Sequence, residues 1–394
     1  MSNKNNIINF CTNCFNHTSS YQTKAKTLEK IRSKPEEIDK SGFCTVCKFE
    51  RDKKVHNINW KGRERILKKL VSSAKKNSQS GYDCIIPVSG GKDSMRQAFI
   101  VRDQLKMKPL LISVFYPPEQ LTNLGAENFE NLISQGFDCV SISLDPIKWK
   151  SLMRHSFLKF CNPFRSTEMA LYAIPIHLGV KYKIPLIFYG ENFLYTVAHG
   201  TESEGKDWDA SNLYFGGNTT KDGPKGLKYS KATKLDYYFY NYPSKSEIKK
   251  TKTKIVYLGY FFKDWYGYKN GKFAIKKGFQ KRKDNPSKIG DLWGFSGVDE
   301  DFRIVNQHLK YLKRGYGYVT DQVCEAINQK IITRKEAIPL LEKYDGKCSQ
   351  EYIDKFCKYI NISHKTFNHT VNKFVNRNLF KKVNGKWIRK FIYN

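Results

Sequence analysis

The stretch that decides the fold is Cys84-Ile85-Ile86-Pro87-Val88-Ser89-Gly90-Gly91-Lys92-Asp93-Ser94. Its apolar first half predicts a buried strand, and the residues after Ser94 continue with apolar side chains at helical spacing. A strand that leads through a glycine turn into a helix N-terminus directs several backbone N–H groups to one point, an arrangement that binds phosphate. We therefore predict an anion site in this loop, with Ser89, Lys92 and Ser94 as additional donors.

Asp93 is the unexpected residue of this loop, because a carboxylate repels phosphate unless a metal ion lies between them. The loop is not a Walker motif, in which lysine and serine or threonine are adjacent, because Asp93 separates Lys92 from Ser94. It resembles instead the PP-loop of the ATP pyrophosphatases, whose motif Ser-Gly-Gly-x-Asp-Ser is matched at every fixed position. That resemblance implies cleavage of ATP between the α- and β-phosphates. The alternative is an ordinary Gly-Gly turn that ends a strand.

Strands and helices alternate after the loop. Apolar runs predict strands at 110–115, 139–143 and 184–189, and helical spacing predicts helices at 124–134 and 169–182. This alternation indicates an α/β fold with a doubly wound, mostly parallel sheet. Ligands bind at the carboxyl ends of the strands in such sheets. Gly190, Glu191 and Asn192 follow the strand at 184–189, so they are candidate ligand contacts, although Glu191 at a strand end is also a candidate helix cap.

Two Cys-x-x-Cys pairs lie near the N-terminus, and their members are Cys11, Cys14, Cys44 and Cys47. Two such pairs are the usual way to bind tetrahedral Zn²⁺, so we predict a structural four-cysteine zinc site. The 29 residues between the pairs exceed the spacing of about 15–20 found in zinc ribbons. Four thiols without metal are the alternative, and a redox pair is less favoured because it would lie at a strand–helix junction.

The pattern divides the chain into four predicted parts: a zinc-ribbon-like segment at 1–56, an ATP-binding domain at 57–202, an insertion or lid at 203–290 and a helical region at 291–394. The insertion contains a predicted strand at 255–262. The last part contains helices at 302–312 and 333–344, a capping box of Thr333 and Glu336, and a helix capped by Ser363. A hairpin at 380–392 turns at Asn384-Gly385. This end is similar to a winged helix, but no helix with base-reading residues stands out, which favours a packing module.

Net charge limits the partners without selecting one. The chain has 394 residues, with 69 Lys and Arg against 37 Asp and Glu, which gives a net charge of +32. Such a charge attracts nucleic acid, nucleotide sugars, ATP or anionic membranes. The lysines are spread through a sequence rich in Asn, Ile and Tyr, which is also typical of an AT-rich genome. There is no apolar run of membrane-spanning length and no signal-peptide core, so we expect a cytoplasmic protein.

Beyond the loop, the chain resembles the N-acetyl sugar amidotransferases, a family with members in LPS and pseudaminic acid biosynthesis. The matching segments are the cysteine pairs, 87–94, 121–128, 184–192, 257–260 and 315–321. The long spacer between the cysteine pairs and the polar stretch at 203–250 depart from the family. The resemblance implies a PP-loop fold similar to the adenine nucleotide α-hydrolases, and conversion of a sugar N-acetyl group to an acetamidino group, with ATP, Mg²⁺ and Zn²⁺ as cofactors.

The implied chemistry assigns roles to the residues of the loop. ATP adenylates the amide oxygen, ammonia attacks the activated carbon, and AMP leaves. Catalytic roles are implied for Asp93, as the Mg²⁺ ligand, for Lys92 and for Glu191. The implied ATP and pyrophosphate contacts are Val88, Ser89, Gly90, Gly91, Lys92, Asp93, Ser94, Gly190 and Asn192. His199, near the Gly190 loop, is a weaker candidate.

The implied reaction needs ammonia, which must come from another protein. Residue 2 is Ser, and Cys84, Cys139, Cys161 and Cys324 lack the flanking glycines of a glutaminase nucleophile. We therefore predict a separate glutaminase subunit and an ammonia-channelling partner. Two other functions remain open: a tRNA-modifying PP-loop enzyme of the thiolation or lysidine type, and a zinc-ribbon nucleic-acid binder without activity. The absence of a Cys-x-x-Cys pair after residue 47 disfavours thiolation, and the intact loop motif disfavours a binder.

Overall fold

Five parallel strands form the centre of the molecule. The computed structural model describes residues 8–17, 38–56, 58–190, 208–212 and 235–393. The strands are β1 (Cys84–Val88), β2 (Pro109–Phe115), β3 (Cys139–Ser143), β4 (Leu186–Tyr189) and β5 (Lys254–Tyr257). They pair in the order β3-β2-β1-β4-β5, with every pairing parallel. The order changes direction between β1 and β4, so a crevice opens at their carboxyl ends.

Helices follow the strands and also form most of the last hundred residues. In chain order, the α-helices of the described residues are α1 (Thr45–Lys54), α2 (Trp60–Asn77), α3 (Lys92–Phe99), α4 (Asn123–Ser134), α5 (Pro146–Phe160), α6 (Arg165–Lys181), α7 (Lys245–Thr251), α8 (Gly267–Lys276), α9 (Pro286–Ile289), α10 (Phe302–Arg314), α11 (Tyr318–Asn328), α12 (Arg334–Tyr344), α13 (Gln350–Tyr359) and α14 (His364–Phe374). A hairpin of β6 (Phe380–Val383) and β7 (Lys386–Arg389) follows. None of these helices has the length and hydrophobicity to cross a membrane.

The sheet is covered on both faces. Alternate strand residues point to opposite faces. Cys84 and Ile86 of β1 belong to a core with α2, α3, α4 and α8, whereas Ile85 belongs to a second core with α5 and α6. These two cores confirm the predicted doubly wound α/β class.

The strand predicted at 255–262 differs from the observed structure. Only Lys254–Tyr257 is extended, and a 3₁₀ turn occupies Leu258–Phe261. The apolar run continues because Leu258 and Phe261 are buried in the turn, so it does not mark the length of the strand. β5 pairs with β4 as the edge strand of the central sheet, where we had expected a strand inside an insertion. The proposed division into four parts stays a prediction.

The two ends of the described chain pack together. Phe15 makes an edge contact with Tyr393, with 5.8 Å between the ring centroids. The guanidinium of Arg334, on α12, donates to the carbonyls of Cys11 (3.0 Å) and Cys14. A single hydrophobic core includes the four cysteines, α10 to α14, the hairpin and part of α5. The cysteine segment is thus built onto the helical C-terminal region.

Local signals in that region are confirmed. Thr333 and Glu336 form both hydrogen bonds of the capping box at the start of α12. The Ser363 hydroxyl caps α14 by accepting from the N–H of Thr366 (3.1 Å). The hairpin turns at Asn384-Gly385, where both residues have positive φ. Each of these signals spans only a few residues, so the sequence pattern alone is sufficient to locate them.

Candidate active site

The loop after β1 has the conformation that an anion site requires. Gly90 has φ +79°, and a Cβ there would lie 2.9 Å from the backbone nitrogen of Phe129 on α4, so only glycine fits. Gly91 is the N-cap of α3, and its position supplies no side-chain cap. The first N–H groups of α3 therefore point into the crevice beside β1 and β4 without a capping oxygen. These are the donors that we predicted for phosphate.

Lys92 and Asp93 form an ion pair within the loop. The Lys92 ammonium is 2.6 Å from Asp93 Oδ2, and Asn270 Nδ2 on α8 donates to Asp93 Oδ1 at 2.7 Å. Burial lowers the Lys92 pKa more than any single neighbour raises it, but the charge and hydrogen bond of Asp93, together with Tyr318 and Glu325, raise that pKa overall. The Asp93 side chain is 45% exposed, so it is accessible from the crevice. Its charge is already balanced by Lys92, and its role as a Mg²⁺ ligand stays a prediction.

Glu325, on α11, is a component of the site that the sequence pattern did not indicate. Its carboxylate accepts hydrogen bonds from the first N–H groups of α8, those of Gly267 (2.9 Å) and Tyr268 (2.7 Å). A Cβ at Gly267 would lie 3.2 Å from Glu325 Oε2 and 3.5 Å from Lys92 Cε, so Glu325 and Lys92 meet at the same point. Burial raises the Glu325 pKa, while these two hydrogen bonds and the Lys92 charge oppose the rise.

The end of β4 is attached to the loop helix and to the segment before α8. The Gly190 carbonyl accepts from Trp265 Nε1 (2.6 Å), and Gln97 of α3 donates to the Phe188 carbonyl (2.5 Å). A Cβ at Gly190 would lie 2.8 Å from Gln97 Oε1. Gly190 thus lies beside α3, as its predicted place at a strand end requires. Glu191, Asn192 and His199 lie outside the described residues.

A second group of charged residues meets the loop from the side of Ser89. The Ser89 hydroxyl is hydrogen-bonded to the carboxylate of Asp299, and burial raises the Asp299 pKa against this bond and the nearby charge of Arg303. Glu300 is 1% exposed, and burial, followed by the charge of Asp299, raises its pKa to about 8. Asp299, Glu300 and Arg303 come just before and within α10, where we predicted only a helix.

The four cysteines of the two pairs form one cluster. Their sulfur atoms all lie within 4.8 Å of one another, and those of Cys14 and Cys44 are 3.7 Å apart. Tetrahedral Zn²⁺ with Zn–S bonds of about 2.3 Å places its sulfurs about 3.8 Å apart, so this donor set could hold such an ion. Backbone N–H groups point at the sulfurs as well, for example from Cys44 to Cys11 Sγ (3.3 Å). Such bonds favour the thiolate form that binds metal.

Comparisons with known proteins find a family match for part of the chain. Residues 294–392 match a family model described as "LPS biosynthesis protein WbpG-like, C-terminal domain", which supports the family resemblance predicted from the sequence. The match includes Asp299 and Glu325. A solved structure, "Structure of NMN synthetase from Francisella tularensis", aligns with 79% of this chain and 96% of its own at 14% identity. Its TM-score of 0.30 is too low to support an argument. No curated protein matches the chain.

Proposed function

We propose that this chain is an ATP-dependent, AMP-forming amidotransferase of surface polysaccharide or flagellin glycan biosynthesis. Its substrate would be a nucleotide-activated or sialic-acid-like sugar whose N-acetyl group becomes acetamidino. The match to an LPS biosynthesis domain and the PP-loop motif together support a sugar-modifying PP-loop enzyme. The observation on which the proposal depends most is the loop from Ser89 to Ser94, placed at the point where the strand order changes direction.

The first step would form a bond between the amide oxygen and the α-phosphorus of ATP. The bond between the α-phosphorus and the bridging oxygen breaks, and pyrophosphate leaves with the electron pair. The free N–H groups of α3 and the ammonium of Lys92 would stabilise the charge that develops on the leaving group. The half-exposed carboxylate of Asp93 would bind Mg²⁺, which offsets phosphate charge when bound.

The second step would replace oxygen with nitrogen. Ammonia adds to the activated carbon, the C–O bond breaks, and AMP leaves with its electron pair. One proton must be removed from the attacking nitrogen, because the amidinium product carries one positive charge. We assign this proton transfer to Asp299, the partly buried carboxylate next to Ser89, since burial raises its pKa toward the range of a useful base. The ammonia would come from the predicted glutaminase subunit through its channelling partner.

The cysteine cluster would bind Zn²⁺ as a structural ion. All four ligands are cysteines, which leaves no open coordination position for a substrate. Its neighbours are side chains of the C-terminal region, such as Cys324 and Asn328. Zinc would therefore stabilise the attachment of the N-terminal segment to that region.

A direct assay tests the proposal. The purified chain is incubated with ATP, Mg²⁺, an ammonium salt and a series of acetamido sugars, and AMP, pyrophosphate and the product mass are measured. We expect AMP and pyrophosphate in equal amounts, together with a sugar in which oxygen is replaced by NH. AMP formation with tRNA and with none of the sugars would overturn the proposal and favour the tRNA-modifying alternative. RNA binding without AMP formation from either substrate would favour the non-enzymatic binder.

A further inference from the structure

Helix α11 contacts both the cysteine cluster and the nucleotide loop. Cys324 Sγ accepts a hydrogen bond from the backbone N–H of Phe15 (3.3 Å), the residue after Cys14. One turn later, Asn328 Oδ1 lies 3.3 Å from Cys47 Sγ and 2.9 Å from the side-chain nitrogen of Asn13. Between these two residues, Glu325 contacts α8 and approaches Lys92. Neighbouring residues of α11 thus contact the cysteine cluster on one side and the nucleotide loop on the other.

A second connection reaches the same place from the cysteine segment. Helix α1 contains Cys47, and its Lys53 donates to the backbone carbonyl of Lys263 (3.0 Å) in the segment that leads into α8. The same ammonium is paired with Glu50 at 2.6 Å, and Glu50 is 2% exposed. The cysteine segment is therefore connected to the residues just before α8 through Lys53, and to α8 itself through α11 and its Glu325.

The position of α8 in turn fixes the acidic residue of the loop. Asn270, one turn into α8 and 1% exposed, donates to Asp93 and accepts from Arg96 Nη1 (2.6 Å). The same guanidinium of Arg96 donates to the carbonyl and the carboxylate of Asp264, both at 2.8 Å. A shift of the first turn of α8 would consequently move the amide that orients Asp93 and, through Asp93, the ammonium of Lys92.

We propose that Glu325 is a positioning residue through which metal at the four-cysteine site raises the affinity of the loop for the phosphates of ATP. This inference rests on the proposed function, because it requires ATP to bind at the loop. The physical reason is that a metal ion fixes the backbone around both cysteine pairs, and part of its binding free energy stabilises the contacts of α11. Without the ion, the four buried thiols are no longer joined by a metal. The contacts of Phe15 and Asn13 with α11 are then less stable.

The alternative is that these contacts only stabilise the fold. In that case, loss of metal and loss of the Glu325 carboxylate would each lower stability, and their effects on ATP binding would be independent. Coupling between two sites is reciprocal: if metal strengthens ATP binding by a given factor, ATP strengthens metal binding by the same factor. This reciprocity distinguishes the two cases, because a purely structural role does not predict it.

The experiment measures the dissociation constant of MgATP by calorimetry for the full chain and for Glu325→Gln, each with zinc and after removal of zinc by a chelator. We expect the substitution and zinc removal each to weaken ATP binding by roughly tenfold, the effect of losing a hydrogen bond to a charged group. The two changes together should weaken it little more than either alone. The matched control is Glu247→Gln, which changes the capping-box carboxylate at the start of α7. The control should leave ATP affinity unchanged.

A second measurement avoids metal-free protein, which could fail to fold. Zinc affinity of the native chain is determined by competition with a chromophoric chelator, with and without ATP, in excess Mg²⁺. ATP should raise zinc affinity in the unmodified chain and in Glu247→Gln, but not in Glu325→Gln. A zinc-loaded chain that binds no ATP would overturn the proposed function. A chain that binds ATP with an affinity independent of zinc, or a zinc effect that persists in Glu325→Gln, would overturn only this inference.

Discussion

The cysteine cluster and the nucleotide loop both begin as short sequence motifs, but they are completed in different ways. The donors of the cluster are the motif residues themselves, Cys11, Cys14, Cys44 and Cys47. The loop supplies its own backbone, but its Asp93 is oriented by Asn270, its Lys92 lies near Glu325, and its Ser89 bonds to Asp299. A motif whose residues are all ligands indicates the whole site, whereas a motif that forms one wall of a crevice indicates only that wall.

The largest effect is expected at the loop. Asp93→Asn should lower AMP formation by at least about a hundredfold, because it removes the partner of Lys92 and the predicted Mg²⁺ ligand. The matched control is Asp103→Asn, whose carboxylate is paired with the preceding residue, Arg102, in the same way at 2.7 Å. AMP release is measured with saturating ATP and sugar. Normal turnover of Asp93→Asn would contradict the role of the loop.

The next effect separates the second step of the reaction from the first. Asp299→Asn keeps a hydrogen-bonding side chain beside Ser89 but cannot accept a proton. We expect product formation to fall by about 10²–10⁴-fold, the usual contribution of a general base, with ATP affinity changed little. Calorimetry for ATP and mass spectrometry of the sugar measure the two quantities. Loss of ATP binding in this variant would instead assign Asp299 to the nucleotide.

Loss of one cysteine should break the cluster. If about 12 kcal/mol of zinc binding is shared among four thiolates, Cys14→Ser loses roughly 3 kcal/mol, or about a hundredfold in zinc affinity. The control is Cys348→Ser, which changes a partly exposed thiol outside the cluster. Zinc content and Tm are measured for both variants. Equal zinc content in the two would show that the cluster does not bind the ion.

A smaller effect tests the close approach at the loop. Gly90→Ala and Gly136→Ala both place alanine at a φ near +80°, a strain of about 1–2 kcal/mol. A Cβ at Gly136 meets nothing within 4 Å, whereas at Gly90 it meets the backbone of Phe129. Gly90→Ala should therefore lose more stability and also weaken ATP binding, which Gly136→Ala should not. Equal losses in the free energy of unfolding, measured with urea, would mean that the α4 backbone shifts away from the added Cβ without loss of stability.

The last effect is a dependence of stability on pH. Because Glu300 has a folded pKa of about 8 and an ordinary value of about 4.3, the folded state binds its proton more tightly. This contribution to stability is complete below pH ~4.3 and is lost as the pH rises to about 8. Glu300→Gln removes this titration. The fall in Tm between pH 5 and pH 8 should therefore be smaller in the variant than in the unmodified chain. Glu64→Gln, a substitution at an exposed position, should leave that fall in Tm unchanged.

The sequence was sufficient wherever the interacting residues are close in the chain. The loop, the capping box and the hairpin turn each occupy a few residues, and all three have the predicted form. The partners of the loop could not be predicted, because Asn270 is 177 residues from Asp93 and nothing in its surroundings marks a contact. The position of β5 was missed for a related reason: an apolar run indicates burial, but the strand that it pairs with is decided by the packing of the whole sheet.

The shared core of the two chain ends has a consequence for synthesis. Phe15 packs on Tyr393, and Phe10 lies 6.2 Å from Phe391 between ring centroids, so the aromatic residues of the cysteine segment have their partners in the segment after the hairpin. A ribosome releases the N-terminal segment long before those partners. The cysteine pairs are then made early but can be enclosed only after Phe391 and Tyr393 have been made. During that interval their thiols are open to oxidation and to other metals, and the order of translation becomes part of how the site is assembled.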